Sequence, residues 1–145
     1  MDSDADRSNK KKPVLKRGDL ILPELSYKIV GVLFDVYNVV GPGHLERVYQ
    51  RAVAEALKER KLKFIEQVSA PLVFKGKAIG KYLLDFLIED KVVLELKQGD
   101  RFRKSNIDQV LAYLASTNRE LAILANFTQQ GVLFRRIVNS PQSHS

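Results

Sequence analysis

Residues 83–99 read LLDFLIEDKVVLELKQG, two apolar runs with strand-like alternation that meet at a short charged loop. Three ionisable residues, Asp85, Glu95 and Lys97, interrupt the apolar positions. A solvated sheet edge would scatter its charges, and a core admits charge only when it is paired or put to chemical use. Side chains alternate along a strand, so Glu95 and Lys97 share one face while Leu94 and Leu96 take the other. The place of Asp85 depends on the loop. A three-residue loop, Glu89-Asp90-Lys91, sets Asp85 opposite Glu95 on the same face; a two-residue loop at 90–91 pairs Phe86 with Glu95 and turns Asp85 away.

Two carboxylates one cross-strand spacing apart repel each other, and a low dielectric strengthens the repulsion. A divalent cation resolves the conflict, with Lys97 placed to hold or activate a water. Such a unit suits phosphodiester hydrolysis, where a metal polarises the phosphoryl oxygen and lowers the pKa of water. The competing reading is structural: Lys97 neutralises one carboxylate in an ion pair.

Composition narrows the chemistry. The 145 residues suffice for one domain with one sizeable core, and 45% hydrophobic content is that of a globular protein. Cysteine is absent, which excludes disulfides, Cys-based zinc sites and thiol catalysis. With only His44 and His144 available, a metal falls to carboxylate oxygens, and these favour Mg²⁺ or Mn²⁺. No apolar run has the length of a membrane span, and the charged N-terminus has no apolar signal core, so the expectation is a cytoplasmic protein with no membrane partner. The net charge of +7 is compatible with a nucleic-acid partner.

Along the chain, residues 1–18 are polar, charged and without period, an expected flexible basic tail. Residues 19–139 follow as a single domain, and 140–145 as a disordered C-terminal tail. Leu25, Ile29, Val32, Leu33, Val36 and Val40 recur at helical spacing, with Pro23 in the first turn. Gly41-Pro42-Gly43 stops that helix. A second helix carries Leu45, Val48, Ala52 and Leu57 as its expected inner face. Strands are then expected near 63–68, 71–75, 80–88 and 92–97, with Lys75-Gly76 as a turn. A third helix starts at Ser105 as N-cap and packs through Ile107, Val110, Leu111 and Leu114. Two strands end the domain. The order ααββββαββ is an α+β sheet with helices packed on it. Val32, Phe34, Val36, Tyr37 and Val39 make the first helix apolar enough to bury more than one face, which allows a homodimer interface.

GPGHLERVY, residues 41–49, carries a GxxExxY signature at Gly43, Glu46 and Tyr49. DFLIEDKVVLELK and IDQVLAYL follow it in the order of a strand pair and a Gln-bearing helix. Over residues 24–139 the chain resembles the GxxExxY proteins, which look like compact members of the PD-(D/E)XK nuclease superfamily. The resemblance implies a restriction-endonuclease-like core, a mixed central sheet flanked by helices of αβββαβ type, and a Mg²⁺-dependent nuclease site. It implies Asp85 and Glu95 as metal ligands, Lys97 as the water-orienting residue, and Glu46 as a third carboxylate, directly or through a water. It also implies that Gln109, a further catalytic residue, and Tyr113 line the site from the third helix, with Tyr49 in support.

Beyond the apolar pair, Arg101, Phe102, Arg103 and Lys104 place basic side chains around an aromatic, a pattern that grips phosphates and stacks on bases. Arg135 and Arg136 fall on opposite strand faces, so only one can join such a surface. The leading expectation is a metal-dependent nuclease acting on DNA or RNA. The alternative is a non-catalytic nucleic-acid-binding or interaction module on the same scaffold.

Overall fold

The computed structural model describes residues 21–139, so both expected tails lie outside the described residues. Helices α1 (Pro23–Val40) and α2 (Glu46–Glu59) lead into strands β1 (Phe64–Phe74), β2 (Lys77–Ile88) and β3 (Val92–Gln98). Helix α3 (Lys104–Thr117) then leads to β4 (Leu121–Thr128) and β5 (Gly131–Val138). The five strands form one mixed sheet in sequence order. Only β3 and β4 are parallel, and α3 makes the crossover that a parallel pair requires. Helix α1 and strand β5 add to the αβββαβ core at its two ends.

Both faces of the sheet are covered at its centre, which explains why all of β4 is buried and reads as a nearly continuous apolar run. Helices α1 and α2 close a first core through Ile29, Leu33, Val53 and Leu57, packed on Phe86, Leu94 and Ile123. Helix α3 closes a second through Val110 and Leu114, packed on Leu87, Val93 and Leu124. Gly41 ends α1 with φ near 75°, a left-handed conformation that glycine adopts without steric cost. Tyr49 pins the corner that follows. Its hydroxyl donates to the Gly41 carbonyl at 2.7 Å, and its ring stacks on Phe127 at 4.0 Å between centroids.

Several sequence expectations need correction. The two early strands at 63–68 and 71–75 are one strand, β1, so among the described residues three strands rather than four precede α3. Pro71 sits within it because β1 is an edge strand, whose outer N–H positions need no partner. Leu45 is exposed, lying one residue before α2, and Val48 and Ala52 are half-buried; the inner face runs through the expected Leu57 together with Tyr49 and Val53. Ser105 lies inside the first turn of α3, whose N-cap position is Arg103 without a side-chain cap. Leu111 is exposed while Val110 and Leu114 are buried. Much of the broad apolar face of α1 is used within the chain, although Val39 is exposed: Val32 and Val36 are buried, Phe34 meets Phe134 edge-on, and Tyr37 stacks on Phe127 and donates to the Thr128 carbonyl. Nothing in this packing supports the homodimer.

Candidate functional site

The β2–β3 connection has the three-residue loop: Ile88 faces Val92, Leu87 faces Val93 and Phe86 faces Leu94. Glu89 and Asp90, both with positive φ, make the reversal. The next pair in register is Asp85 with Glu95, and here the regular ladder stops. Beyond it β2 continues with β1 alone, and β3 with β4 alone. The sheet forks at the two carboxylates.

The backbone is irregular at the same level. Leu87 belongs to the second core, Phe86 and Ile88 to the first, yet Leu84, two residues before Phe86, belongs to the second. Strict alternation would keep Leu84 with Phe86. Across from Asp85, Gln67 has φ near 58°, and the Gln67 position drops out of the pairing between Glu66↔Phe86 and Val68↔Leu84. This distortion lets one strand serve two cores, and Asp85 stands at the switch.

The carboxylates hold the fork together. Glu95 Oε1 accepts from the Asp85 N–H at 2.9 Å, and Asp85 Oδ2 accepts from the Leu96 N–H at 2.7 Å. Asp85 Oδ1 accepts from Gln50 Nε2 at 2.7 Å, and Glu95 Oε2 lies 3.4 Å from Lys97 Nζ. Asp85 is 7% exposed and Glu95 5%. Burial disfavours ionisation of both, and for Glu95 the charge of Asp85 adds to it, pushing its carboxyl up to about 8. Asp85 is also raised, chiefly by burial, against the lowering effect of the Leu96 N–H and Lys97. The pair therefore favours retaining a proton near neutral pH. Tyr82 is raised by burial and by the Glu95 charge, and its hydroxyl donates to the Gln109 carbonyl.

The structure brings Asp85, Glu95 and Lys97 together. Glu46, at the start of α2, is near enough for its charge to raise Asp85. Among the described residues no three His, Cys, Asp or Glu side chains gather closely enough to hold a metal ion, so Glu46 stands apart from the pair. Gln109 reaches this region through its backbone carbonyl on Tyr82. Tyr113 is buried in the second core, and Tyr49 in the first.

Farther out, Phe102 packs against the second core with the Arg135 guanidinium over its ring, which leaves it ill-suited to stack on a base. Lys104 pairs with Asp108. Arg101 and Arg103 line a cavity of about 370 Å³ with Gln98, Gly99 and Asp100. Arg136 turns the other way, to Ser26 and the Ile21 carbonyl, as strand parity requires.

Two site residues escaped sequence reasoning. Gln50 lies one helical turn after Glu46, and that i, i+4 spacing was the available signal. Asn126 is in register with Lys97, and its Nδ2 donates to the Gly99 and Arg101 carbonyls at 3.3 and 2.7 Å, anchoring the basic loop. Nothing in the sequence marks it.

The hard oxygens of Asp85 and Glu95 are the donor type that suits a divalent cation, which would displace the proton such a crowded, buried pair favours. A comparison with family models agrees with the architecture. A family described as the PD-(D/E)XK nuclease superfamily matches residues 23–137. Among solved structures, that of SSO0001 is similar at a TM-score of 0.49 and 16% identity, covering 88% of this chain and 64% of the other. The chain thus spans less than two thirds of that protein. An alkaline exonuclease from Laribacter hongkongensis is similar at a TM-score of 0.48 and 13% identity, covering 83% and 71%. No curated protein sequence matches the chain.

Proposed function

Since this chain belongs to the PD-(D/E)XK nuclease superfamily, we propose that its residues 19–139 act as one domain that hydrolyses nucleic-acid phosphodiester bonds at Asp85, Glu95 and Lys97. The observation that carries this reading is the buried carboxylate pair at the fork, with Lys97 Nζ 3.4 Å from Glu95. A structural ion pair needs one carboxylate. Two, both resisting ionisation, weaken the metal-free fold and make sense as a site awaiting a cation.

Asp85 and Glu95 would hold Mg²⁺ or Mn²⁺, with Glu46 acting through a water from the start of α2. When bound, the metal supplies Lewis-acid polarisation of the phosphoryl group. Gln50 fixes the Asp85 carboxylate by its hydrogen bond to Oδ1. Lys97 orients the attacking water and neutralises charge on the phosphate. Gln109 borders the site through α3, and Arg101 and Arg103 meet the substrate backbone where the loop leaves β3.

Asp85→Ala, Glu95→Ala and Lys97→Ala should each abolish Mg²⁺-dependent cleavage of labelled nucleic acid while far-UV circular dichroism stays unchanged. Cleavage at the wild-type rate in all three would remove the site. A second reading, a binding module without catalysis, draws on one observation: each of the four carboxylate oxygens already has a donor within the chain. Calorimetry with Mn²⁺ separates the two readings. Carboxylate-dependent metal binding supports the enzyme, and salt-sensitive nucleic-acid binding without metal supports the module.

A further inference from the structure

Strands β1 and β2 run on past the two cores. Residues 71–81 are all exposed, and over this stretch β2 pairs with β1 alone. The result is a two-stranded ribbon open on both faces, reversed by Lys75 and Gly76, both with positive φ. A bare hairpin of this kind is marginally stable in water, so its sequence is free to serve something other than packing. It carries Lys75, Lys77 and Lys81, and no acidic residue occurs between Glu66 and Asp85. Its apolar side chains sit in the open: Phe74 is 58% exposed, with Lys75 Nζ 5.3 Å from its ring centroid, and Ile79 is 68% exposed.

We propose that this arm is a basic ribbon that enters the major groove of duplex DNA and seats the duplex against the fork. The inference rests on the nuclease reading above and adds the substrate class. Charge complementarity selects a polyanion, because three lysines stand on an arm without a single carboxylate. Dimensions select the groove. Two strands lie about 4.8 Å apart, and the major groove of B-DNA, about 12 Å wide and 8.5 Å deep, admits a two-stranded ribbon. The free part of the arm extends roughly 15 Å at 3.3 Å per residue, enough to reach the groove floor. Double-stranded RNA presents a major groove too narrow for side chains to read. Phe74 and Ile79 supply the apolar contacts that base edges and thymine methyls accept. Lys81 lies four residues from Asp85 along β2, roughly 13 Å, so a duplex that seats the arm is held close to the site. Pro71 on the outer edge lacks an N–H and works against strand addition by a second copy.

Fluorescence anisotropy in EDTA tests this with a labelled DNA duplex, its single strand and an RNA duplex of the same sequence. The protein should bind the DNA duplex at least roughly tenfold tighter than the other two. Lys75→Ala, Lys77→Ala and Lys81→Ala combined should raise the duplex Kd at least roughly tenfold and lower the log–log salt slope by about 2.5, near 0.9 per phosphate contact. The combination Lys28→Ala, Lys58→Ala and Lys61→Ala removes equal charge elsewhere and should change binding less than about twofold. Phe74→Ser should weaken duplex binding without altering the slope. Equal effects of the two lysine combinations, or a preference for RNA or single strands, overturn the proposal. So does a dimer in sedimentation that dissociates with Phe74→Ser. Arm-dependent duplex binding with no metal-dependent cleavage leaves the arm standing and removes the nuclease; cleavage with arm-independent binding does the reverse.

Discussion

Glu95→Gln should stabilise the metal-free protein at neutral pH while removing the proposed nuclease activity. Folding lifts the Glu95 carboxyl from its ordinary 4.5 to about 8. A raised carboxyl favours the protonated form in the folded state, so the wild type keeps its full stability below pH 4.5. It loses stability as pH rises toward 8, because the unfolded chain ionises freely and the folded chain does not. Each pH unit in that window corresponds to about 1.4 kcal/mol, so the deficit at pH 7 is roughly 3 kcal/mol. The amide escapes this deficit, and its carbonyl still accepts the Asp85 N–H. The net gain is therefore about 3 kcal/mol at pH 7, growing toward pH 8 and vanishing near pH 4.5. Urea unfolding in EDTA at pH 4.5, 7 and 8.5, followed by circular dichroism, measures it. A variant no more stable than wild type at pH 8.5, or a gap that ignores pH, would refute the account of a proton held at the fork.

Other outcomes follow from the same contacts. Mn²⁺ affinity, measured by calorimetry, should fall as pH drops from 8 to 6 by up to about tenfold per unit, because the metal must displace the proton on the raised pair; a pH-independent affinity would contradict this. Gln50→Leu leaves Asp85 Oδ1 without its donor, so it should destabilise by about 1–3 kcal/mol at pH 7 and move the pH dependence of metal binding upward. Tyr49→Phe removes the hydrogen bond to Gly41 but keeps the stack on Phe127, and should cost about 1 kcal/mol in thermal unfolding. Tyr49→Ala removes both and should cost about 3–5 kcal/mol.

The sequence carried most of the central hairpin. Period-two alternation and a loop limited to two candidate lengths left two registers, and only the three-residue loop set Asp85 against Glu95. The strand count erred at Pro71, because proline breaks a central strand and is accepted at an edge, and the order of strands in a sheet is a long-range property. The inner face of α2 was misjudged for a related reason. Tyr49 lies outside the expected face, and it is core because distant Phe127 offers it a ring to stack on and the Gly41 carbonyl takes its hydroxyl.

By itself, then, the sequence determined the class of elements, the choice of carboxylate oxygens as the ligands available to a metal, and the spacing of Asp85, Glu95 and Lys97. All of these follow from local period and composition. Tertiary structure alone decided that the sheet forks at that pair, that Gln50 reaches Asp85 from another element, and that residues 71–81 stand clear of both cores. Burial, and with it the raised carboxyl of Glu95, depends on what distant segments stack above and below the strands, and no local pattern encodes that.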